Sequence, residues 1–484
     1  MPISEATRAL IYDRCYVGGE WVASDSNESF AVTNPADGSE IAQVPAFGSA
    51  ETERAIQAAH DALPAWRQKT AAERATILKK WHALVMEKQQ ELGELMTLEQ
   101  GKPVAEAKGE IAYAASYIEW FAEEARRVYG ETIPGLQTSQ RIIVTREPVG
   151  VCVAITPWNF PAAMITRKVA PALAVGCTIV VKPASETPLT ALALAALAAE
   201  AGVPAGVFSV VTGSAKAIGK VFTESELVRK LSFTGSTAIG SLLMEACAPS
   251  VKRVSLELGG NAPFLVFDDA DIEAAVQGVM DSKFRNAGQT CVCANRIYVQ
   301  KGVYADFVEK LTKKVEALKV GNGFDEGVVI GPLISESAVE KVEEHIADAL
   351  AHGGRIVCGG SRHELGGTWF TPTVIADGTQ KMLCTREETF GPVAPIIAFD
   401  TEEQGIEFAN ATEFGLAAYF YSRDLGRVRR VSEGIEAGMI GINTGLISNA
   451  TAPFGGIKAS GLGREGARQG IDEYSEFKYL CIDS

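Results

Sequence analysis

Between residues 51 and 128 the apolar positions recur at helical spacing, as in Ala55-Ile56, Ala59 and Ala62-Leu63, and again at Ile111, Ala114-Ala115, Ile118 and Phe121-Ala122. An i, i+3, i+4 stripe lies on one face of a helix, so this part predicts amphipathic helices covering something larger. From Val149 the rhythm changes to short apolar runs at 150–156, 177–181, 206–211, 231–233 and 254–256, separated by helical patterns at 161–175, 188–201, 215–223 and 237–248. Strands that alternate with helices predict a parallel sheet covered on both faces. Thr187 before Pro188 reads as an N-cap followed by proline in the first turn.

The rhythm restarts at Phe264-Leu265-Val266-Phe267, followed by a helix over 271–280 capped by Asp271. That second alternating unit runs to about Gly445, with an extended segment at 392–399 and a helix at 425–437. Residues 138–146 and 476–482 are polar-flanked extended runs of the kind that edge strands show. Open edges are liabilities unless paired, and subunit contact would pair them. No internal repeat and no low-complexity linker cuts the chain.

Composition narrows the class. The 484 residues exceed the roughly 250–300 at which one core stops growing, so two or more domains are expected. Hydrophobic residues at 47% and charged residues at 22% suit a soluble globular enzyme. A net charge of −15 repels polyanions and argues against nucleic acid as a partner. The most apolar stretch, 189–199, falls short of the ~18 residues a bilayer requires and reads as a buried helix. The first sixteen residues mix Glu5 and Asp13 with Arg8 and Arg14 and hold no apolar core, so neither a signal nor a transit peptide is visible. Nine cysteines without framework spacing, and no Cys-x-x-Cys or His-x-x-x-His, point to a reducing cytoplasm and to no structural metal.

Ligands in parallel sheets bind outside the carboxyl ends of the strands, and the turns there carry unusual polar residues. They are Thr156-Pro157-Trp158-Asn159-Phe160-Pro161, Lys182-Pro183-Ala184-Ser185-Glu186, Phe233-Thr234-Gly235-Ser236 and Glu257-Leu258-Gly259-Gly260-Asn261. Neither Gly-x-Gly-x-x-Gly nor a P-loop is present. Gly235-Ser236 at a helix start offers free N–H groups and a positive dipole end to a pyrophosphate, although taken alone an ordinary capped helix accounts for those residues better.

Cys291 stands in Phe284-Arg285-Asn286-Ala287-Gly288-Gln289-Thr290-Cys291-Val292-Cys293. A glycine-containing turn that presents one thiol, with arginines nearby, suggests a nucleophile. A cysteine hydrolase would want a histidine beside it, and the five histidines all fall outside these motifs.

Asn159, Lys182, Gly235-Ser236, Glu257-Leu258-Gly259-Gly260, Cys291 and Glu387-Glu388-Thr389-Phe390-Gly391-Pro392 follow one another in an order and spacing that resembles the aldehyde dehydrogenase superfamily over nearly the whole chain. Met164-Ile165-Thr166-Arg167-Lys168, Phe284-Arg285-Asn286 and Asn443-Thr444-Gly445-Leu446-Ile447-Ser448-Asn449 look like its succinate-semialdehyde branch, with glutarate-semialdehyde dehydrogenases sharing the same segments. The resemblance implies an α/β fold of three parts. These are a Rossmann-like cofactor domain at 1–127 and 147–258, an α/β catalytic domain at 259–459, and a small β oligomerisation domain from 128–146 and 460–484.

The resemblance also implies roles. Cys291 adds to the aldehyde, Glu257 acts as base, and the Asn159 amide holds the oxyanion with the Cys291 N–H. Thr156, Pro157, Trp158, Asn159, Lys182, Pro183, Ala184, Ser185, Gly235, Ser236, Leu258, Glu388 and Phe390 would bind the dinucleotide. Ser185, where an acid would repel a 2′-phosphate, and the charge of Lys182 favour NADP over NAD, with Glu186 next door restoring some repulsion. Arg167, Arg285 and Ser448 would clamp a distal carboxylate. Arg167 lies eight residues after Asn159, about two turns if Pro161 opens that helix.

Cys293 departs from a plain aldehyde dehydrogenase. An extended Cys-x-Cys would put both sulfurs on one side for a reversible disulfide, and a small buried hydrophobe is the competing reading. The expected partners are a small semialdehyde and further copies of the chain.

Overall fold

The computed structural model describes residues 3–483, so the outermost ends of the expected domains, Met1, Pro2 and Ser484, lie outside the described residues. Two parallel sheets organise the chain. The first has eight strands in the order Gly461–Leu462, Arg253–Glu257, Val228–Thr234, Val151–Ile155, Thr178–Lys182, Phe208–Val210, Cys15–Val17 and Glu20–Val22. Its five central strands are parallel, and an antiparallel strand joins each side. Val228–Thr234 is longer than the apolar run at 231–233 because Lys230, polar in the sequence, is fully buried with Ser255 and Glu473.

The second sheet has seven strands, in the order Arg355–Cys358, Thr373–Ala376, Val393–Phe399, Ala294–Gln300, Ala262–Val266, Ala417–Tyr421 and Met439–Ile442. All are parallel except the first. Helices cover both sheets, and long ones at Ser49–Gln68, Ala71–Glu87, Gln89–Gln100 and Val104–Glu124 occupy the region where the helical stripe was read. Trp66, Trp81, Phe121 and Phe208 are buried beneath them.

Two helix starts differ from the local reading. The helix at Leu189–Glu200 is preceded by Pro188 as its cap residue, and its free N–H groups at Leu189 and Thr190 donate to the Glu99 carboxylate at 2.7 and 2.8 Å. Thr187 therefore does not cap it. The helix at Ala163–Val175 begins two residues after Pro161, with the Ala162 and Ala163 N–H groups donating to Glu110 Oε1 at 3.0 and 3.3 Å. A carboxylate from a neighbouring helix satisfies orphan donors as well as a local cap does, but no local pattern announces it.

The two extended segments pair with each other. Ser475–Asp483 runs antiparallel along Gln140–Pro148, which also pairs with Glu131–Pro134. The open edges are thus the outer ones, where Phe477, Tyr479 and Ile482 are exposed. Residues 460–474 do not join this small sheet. Gly461–Leu462 pairs with Arg253–Glu257, and the short helix Gln469–Asp472 packs on Ala163–Val175. Among the described residues no helix is long and apolar enough to cross a membrane.

Candidate active site

A cleft of about 250 Å³ gathers groups from both sheets. The carboxyl ends of the first sheet contribute Pro157, Trp158, Asn159, Gly235, Ser236, Glu257 and Leu258. Cys291, Glu388 and Phe390 come from segments that lead into strands of the second sheet, and Met164 and Lys341 also line the cleft. Cys291 itself packs against the cores of both units. The turn after Arg253–Glu257 carries the chain from one sheet to the other. A Cβ on Gly260 would lie 2.6 Å from the Cys291 carbonyl oxygen, so the crossing requires glycine there.

The loop that presents Cys291 is strained and held. Asn286 and Ala287 have φ of 51° and 54°, a region costly for side-chain-bearing residues. Buried bonds hold the turn. The Asn286 N–H donates to Glu106 at 2.7 Å, its Nδ2 to the Asn159 carbonyl at 3.1 Å, and Gln100 Nε2 donates to Asn286 Oδ1 at 3.0 Å. On the far side a Cβ at Gly288 would meet the Gly391 carbonyl, so this loop and the Glu388–Phe390 segment lie against each other.

The two thiols do not lie on an extended strand. The Cys293 N–H donates to the Thr290 carbonyl at 2.9 Å, closing a turn, and the Cys293 thiol donates to the Lys283 carbonyl at 3.4 Å. Both cysteines are free, and Cys293 is buried as a small hydrophobe would be. The turn removes the geometry on which a disulfide with Cys291 was expected.

Burial governs the site's electrostatics. It pushes the Cys291 thiol up to about 12, with the Arg167 charge pulling it back. Glu257, only 3% exposed, is raised well above the carboxylate range by burial and then by the charge of Glu465. Among the described residues its Oε2 has no partner, nor do Asn159 Oδ1, Thr290 Oγ1 or Arg167 Nη2. Orphaned buried atoms are uncommon and call for an explanation, and these four belong to residues in or next to the expected catalytic groups. The Asn159 amide meanwhile donates to the Gln289 carbonyl at 3.1 Å, which fixes it against the nucleophile loop.

The three residues expected to clamp a carboxylate are not all together. Arg285 and Ser448 line one pocket of about 320 Å³ with Tyr113 and Phe160, and Arg167 is absent from that lining. Arg167 is instead 1% exposed and ion-paired to Glu465, with its guanidinium 3.9 Å from the Phe454 ring centre. Asn159 lies ahead of the helix that carries Arg167, so the two-turn spacing does not apply. The physical reason is that a buried guanidinium needs an internal counter-charge. The same Glu465 also pairs with Lys168, whose amine donates to Thr234 Oγ1 at 2.7 Å.

The cofactor turns show a similar mixture. Ser236 caps Thr237–Cys247 through its side chain, as the sequence suggested. The Gly235 N–H is not free, because it donates to the Glu257 carbonyl at 3.0 Å. Thr156, Lys182, Pro183, Ala184 and Ser185 lie outside the cleft lining. Thr156 is buried, with its N–H on the Lys182 carbonyl at 3.1 Å. The Lys182 amine is buried on the Pro183 carbonyl at 3.0 Å, and burial lowers its pKa, whereas Ser185 is exposed. Trp158 and Phe390 meet edge-on at 5.6 Å beside Glu388, whose carboxyl is raised by burial to about 8. An aromatic wall, a carboxyl group in the cleft and a loop with serine at its tip fit a nicotinamide dinucleotide.

Several residues escaped the sequence reading. Lys341, Phe454 and Glu465 stand in segments with no local chemical signature, although Gly463-Arg464-Glu465-Gly466 is a glycine-framed turn that deserved notice. Tyr113 and Tyr117 are one helical turn apart, a spacing legible in principle.

Comparison with known proteins agrees with this geometry. The model of the aldehyde dehydrogenase family matches residues 21–480. The chain is 64% identical over 473 residues to the NADP(+) succinate-semialdehyde dehydrogenase of Escherichia coli, covering 98% of each. It is 62% identical to the glutarate-semialdehyde dehydrogenase of Pseudomonas aeruginosa, again over 98% of each. A solved NADP-dependent enzyme of E. coli superposes with a TM-score of 0.98 at 63% identity, over 98% of this chain and 99% of that one. With the thiol, carboxyl and amide in one cleft, and this match over nearly its whole length, the chain belongs to the aldehyde dehydrogenase family.

Proposed function

We propose that the chain oxidises a carboxylate-bearing semialdehyde, succinate semialdehyde before glutarate semialdehyde, with NADP preferred and NAD the alternative. One observation carries the substrate class. Arg285 lines a pocket with Ser448 and forms no ion pair among the described residues, so its fork is available to an anionic group. The relatives that act on four- and five-carbon semialdehydes support the same class.

Cys291 adds through its sulfur to the aldehyde carbon, giving a thiohemiacetal. Glu257 accepts the thiol proton, and a carboxyl that burial raises well above the ordinary carboxylate range is a stronger base for that work than an ordinary one. The Asn159 amide and the Cys291 N–H hold the oxyanion. A bound nicotinamide would supply the hydride acceptor, with Glu388, Trp158 and Phe390 as the residues that would hold its end of the molecule. Loss of hydride leaves a thioester on Cys291, and Glu257 gives the thiol's proton up to solvent. It then takes a proton from water, whose oxygen attacks the thioester carbon, and returns that proton to the Cys291 sulfur as the acid leaves.

The first sheet and its helices are assigned to the cofactor and the second sheet to the catalytic unit. The exposed outer strand at Ser475–Asp483 is assigned to contact with another copy, as a dimer or tetramer, in the cytoplasm. Light scattering measures that stoichiometry, and a monomer at micromolar concentration would refute the contact.

The deciding assay follows absorbance of the reduced cofactor with succinate semialdehyde, glutarate semialdehyde and butanal, each with NADP and NAD. The expected result is the highest kcat/KM with succinate semialdehyde and NADP. Equal rates on butanal would remove the acidic-substrate reading. Ser185→Glu should reverse the cofactor order, and a wild type that already prefers NAD would show the loop argument to be wrong.

A further inference from the structure

We propose that Tyr113 is a specificity-determining residue, its phenolic hydroxyl donating a hydrogen bond to the distal carboxylate of the substrate beside Arg285 and Ser448. This rests on the semialdehyde reading of that pocket. Tyr113 projects from the helix Val104–Glu124 into the pocket lined by Arg285, Ser448 and Phe160. Its hydroxyl lies 2.7 Å from that of Tyr117, one turn further along, and the two rings meet edge-on with centroids 5.1 Å apart.

The direction of that hydrogen bond follows from burial. Tyr117 is fully buried, and the Tyr113 hydroxyl is its hydroxyl's one hydrogen-bond partner among the described residues. If Tyr113 donated, the Tyr117 hydrogen would be stranded in the interior, a costly arrangement. The satisfied arrangement has Tyr117 donating and Tyr113 accepting, which leaves the Tyr113 hydrogen for an acceptor on the pocket side. The Arg167 guanidinium stands 5.6 Å from the Tyr117 ring centre and does not line the pocket. A chain of two hydroxyls strengthens its terminal donor.

The carboxylates that share the lining do not take this hydrogen. Glu110 accepts from Lys102 and from the Ala162 and Ala163 N–H groups, and Glu106 accepts from the Asn286 N–H. The pocket therefore presents an unspent phenolic donor beside an unpaired arginine and a serine hydroxyl. That set suits a carboxylate and offers an uncharged alkyl end nothing.

The test uses Tyr113→Phe and Tyr117→Phe, which keep the rings and hence the packing. At saturating NADP, Tyr113→Phe should raise KM for succinate semialdehyde roughly tenfold, the usual weight of a hydrogen bond to a charged group, and leave KM for butanal and both kcat values near wild type. Tyr117→Phe, which removes only the donor behind, should raise the same KM by about two- to threefold. Equal losses on the two aldehydes, or an unchanged KM for the semialdehyde in Tyr113→Phe, would overturn the proposal. A wild type that does not distinguish the two aldehydes defeats the semialdehyde reading and this inference with it. A selective wild type with an unaffected Tyr113→Phe defeats the inference alone.

Discussion

The wall behind Met164 and the pocket beneath Ser448 each contain one arginine, in opposite circumstances. Arg167 is 1% exposed, with Glu465 as ion-pair partner and Phe454 and Tyr117 against its guanidinium. Arg285 is half-buried, stacks 4.7 Å from the Phe160 ring centre and has no carboxylate within ion-pairing distance among the described residues. A charge deep in a protein persists only with an internal partner, whereas one at a pocket wall can wait for an external one. Arg167 is thus held inside the wall of the catalytic cleft, acting on Cys291 through its field, and Arg285 is left open to a ligand, the role proposed for it above.

The largest expected effect breaks the first half of that contrast. Arg167→Ala leaves Glu465 buried with Lys168 as its remaining partner and should cost about 3 kcal/mol of stability in a denaturant titration. Activity should fall on charged and uncharged aldehydes alike. A variant of unaltered stability that loses only semialdehyde binding would make Arg167 a substrate ligand and erase the distinction.

Arg285→Ala should do the reverse. KM for succinate semialdehyde is expected to rise about ten- to a hundredfold, the loss of a charge-assisted hydrogen bond of ~1.5–3 kcal/mol, with butanal kinetics and the melting temperature near wild type. Parallel losses on both aldehydes would contradict this. Ser448→Ala removes one hydroxyl from the same pocket and should raise the semialdehyde KM about tenfold, the low end of the ~1.5–3 kcal/mol of a hydrogen bond to a charged group.

Acidity sharpens the contrast with the smallest change in selectivity. Arginine side chains are not deprotonated in proteins, so the ratio of kcat/KM for succinate semialdehyde to that for butanal should hold steady between about pH 6 and 9. Absolute rates on both should fall together with falling pH. A base whose pKa is raised by burial takes up its proton at higher pH than an ordinary carboxylate, so the limb belonging to Glu257 lies above the usual carboxylate range. A selectivity ratio that titrates would implicate another group in substrate binding.

Much of the site was legible in the chain. Cys291, Glu257, Asn159, Glu388 and Phe390 line one cleft, and the strands that carry the cofactor turns lie within a few residues of the apolar runs that foretold them. Arg285 with Ser448 was legible too, although only as members of a set that included Arg167. The turn at Cys293 was not, because an alternating Cys-x-Cys looks the same in sequence whether the backbone is extended or folded back on Thr290.

By itself the sequence determined the alternation of strands and helices, the residues at the strand ends and the membership of the family, since periodicity and turn chemistry are local and survive in one dimension. Tertiary structure alone decided which carboxylates cap the helices at Ala163 and Leu189, which arginine is spent on Glu465, and that the Tyr113 and Tyr117 hydroxyls meet beside the pocket. Those outcomes depend on contacts such as Lys168 with Glu465, 297 residues apart, and on burial, which sets whether a charge must be answered inside the protein or can be left for the substrate.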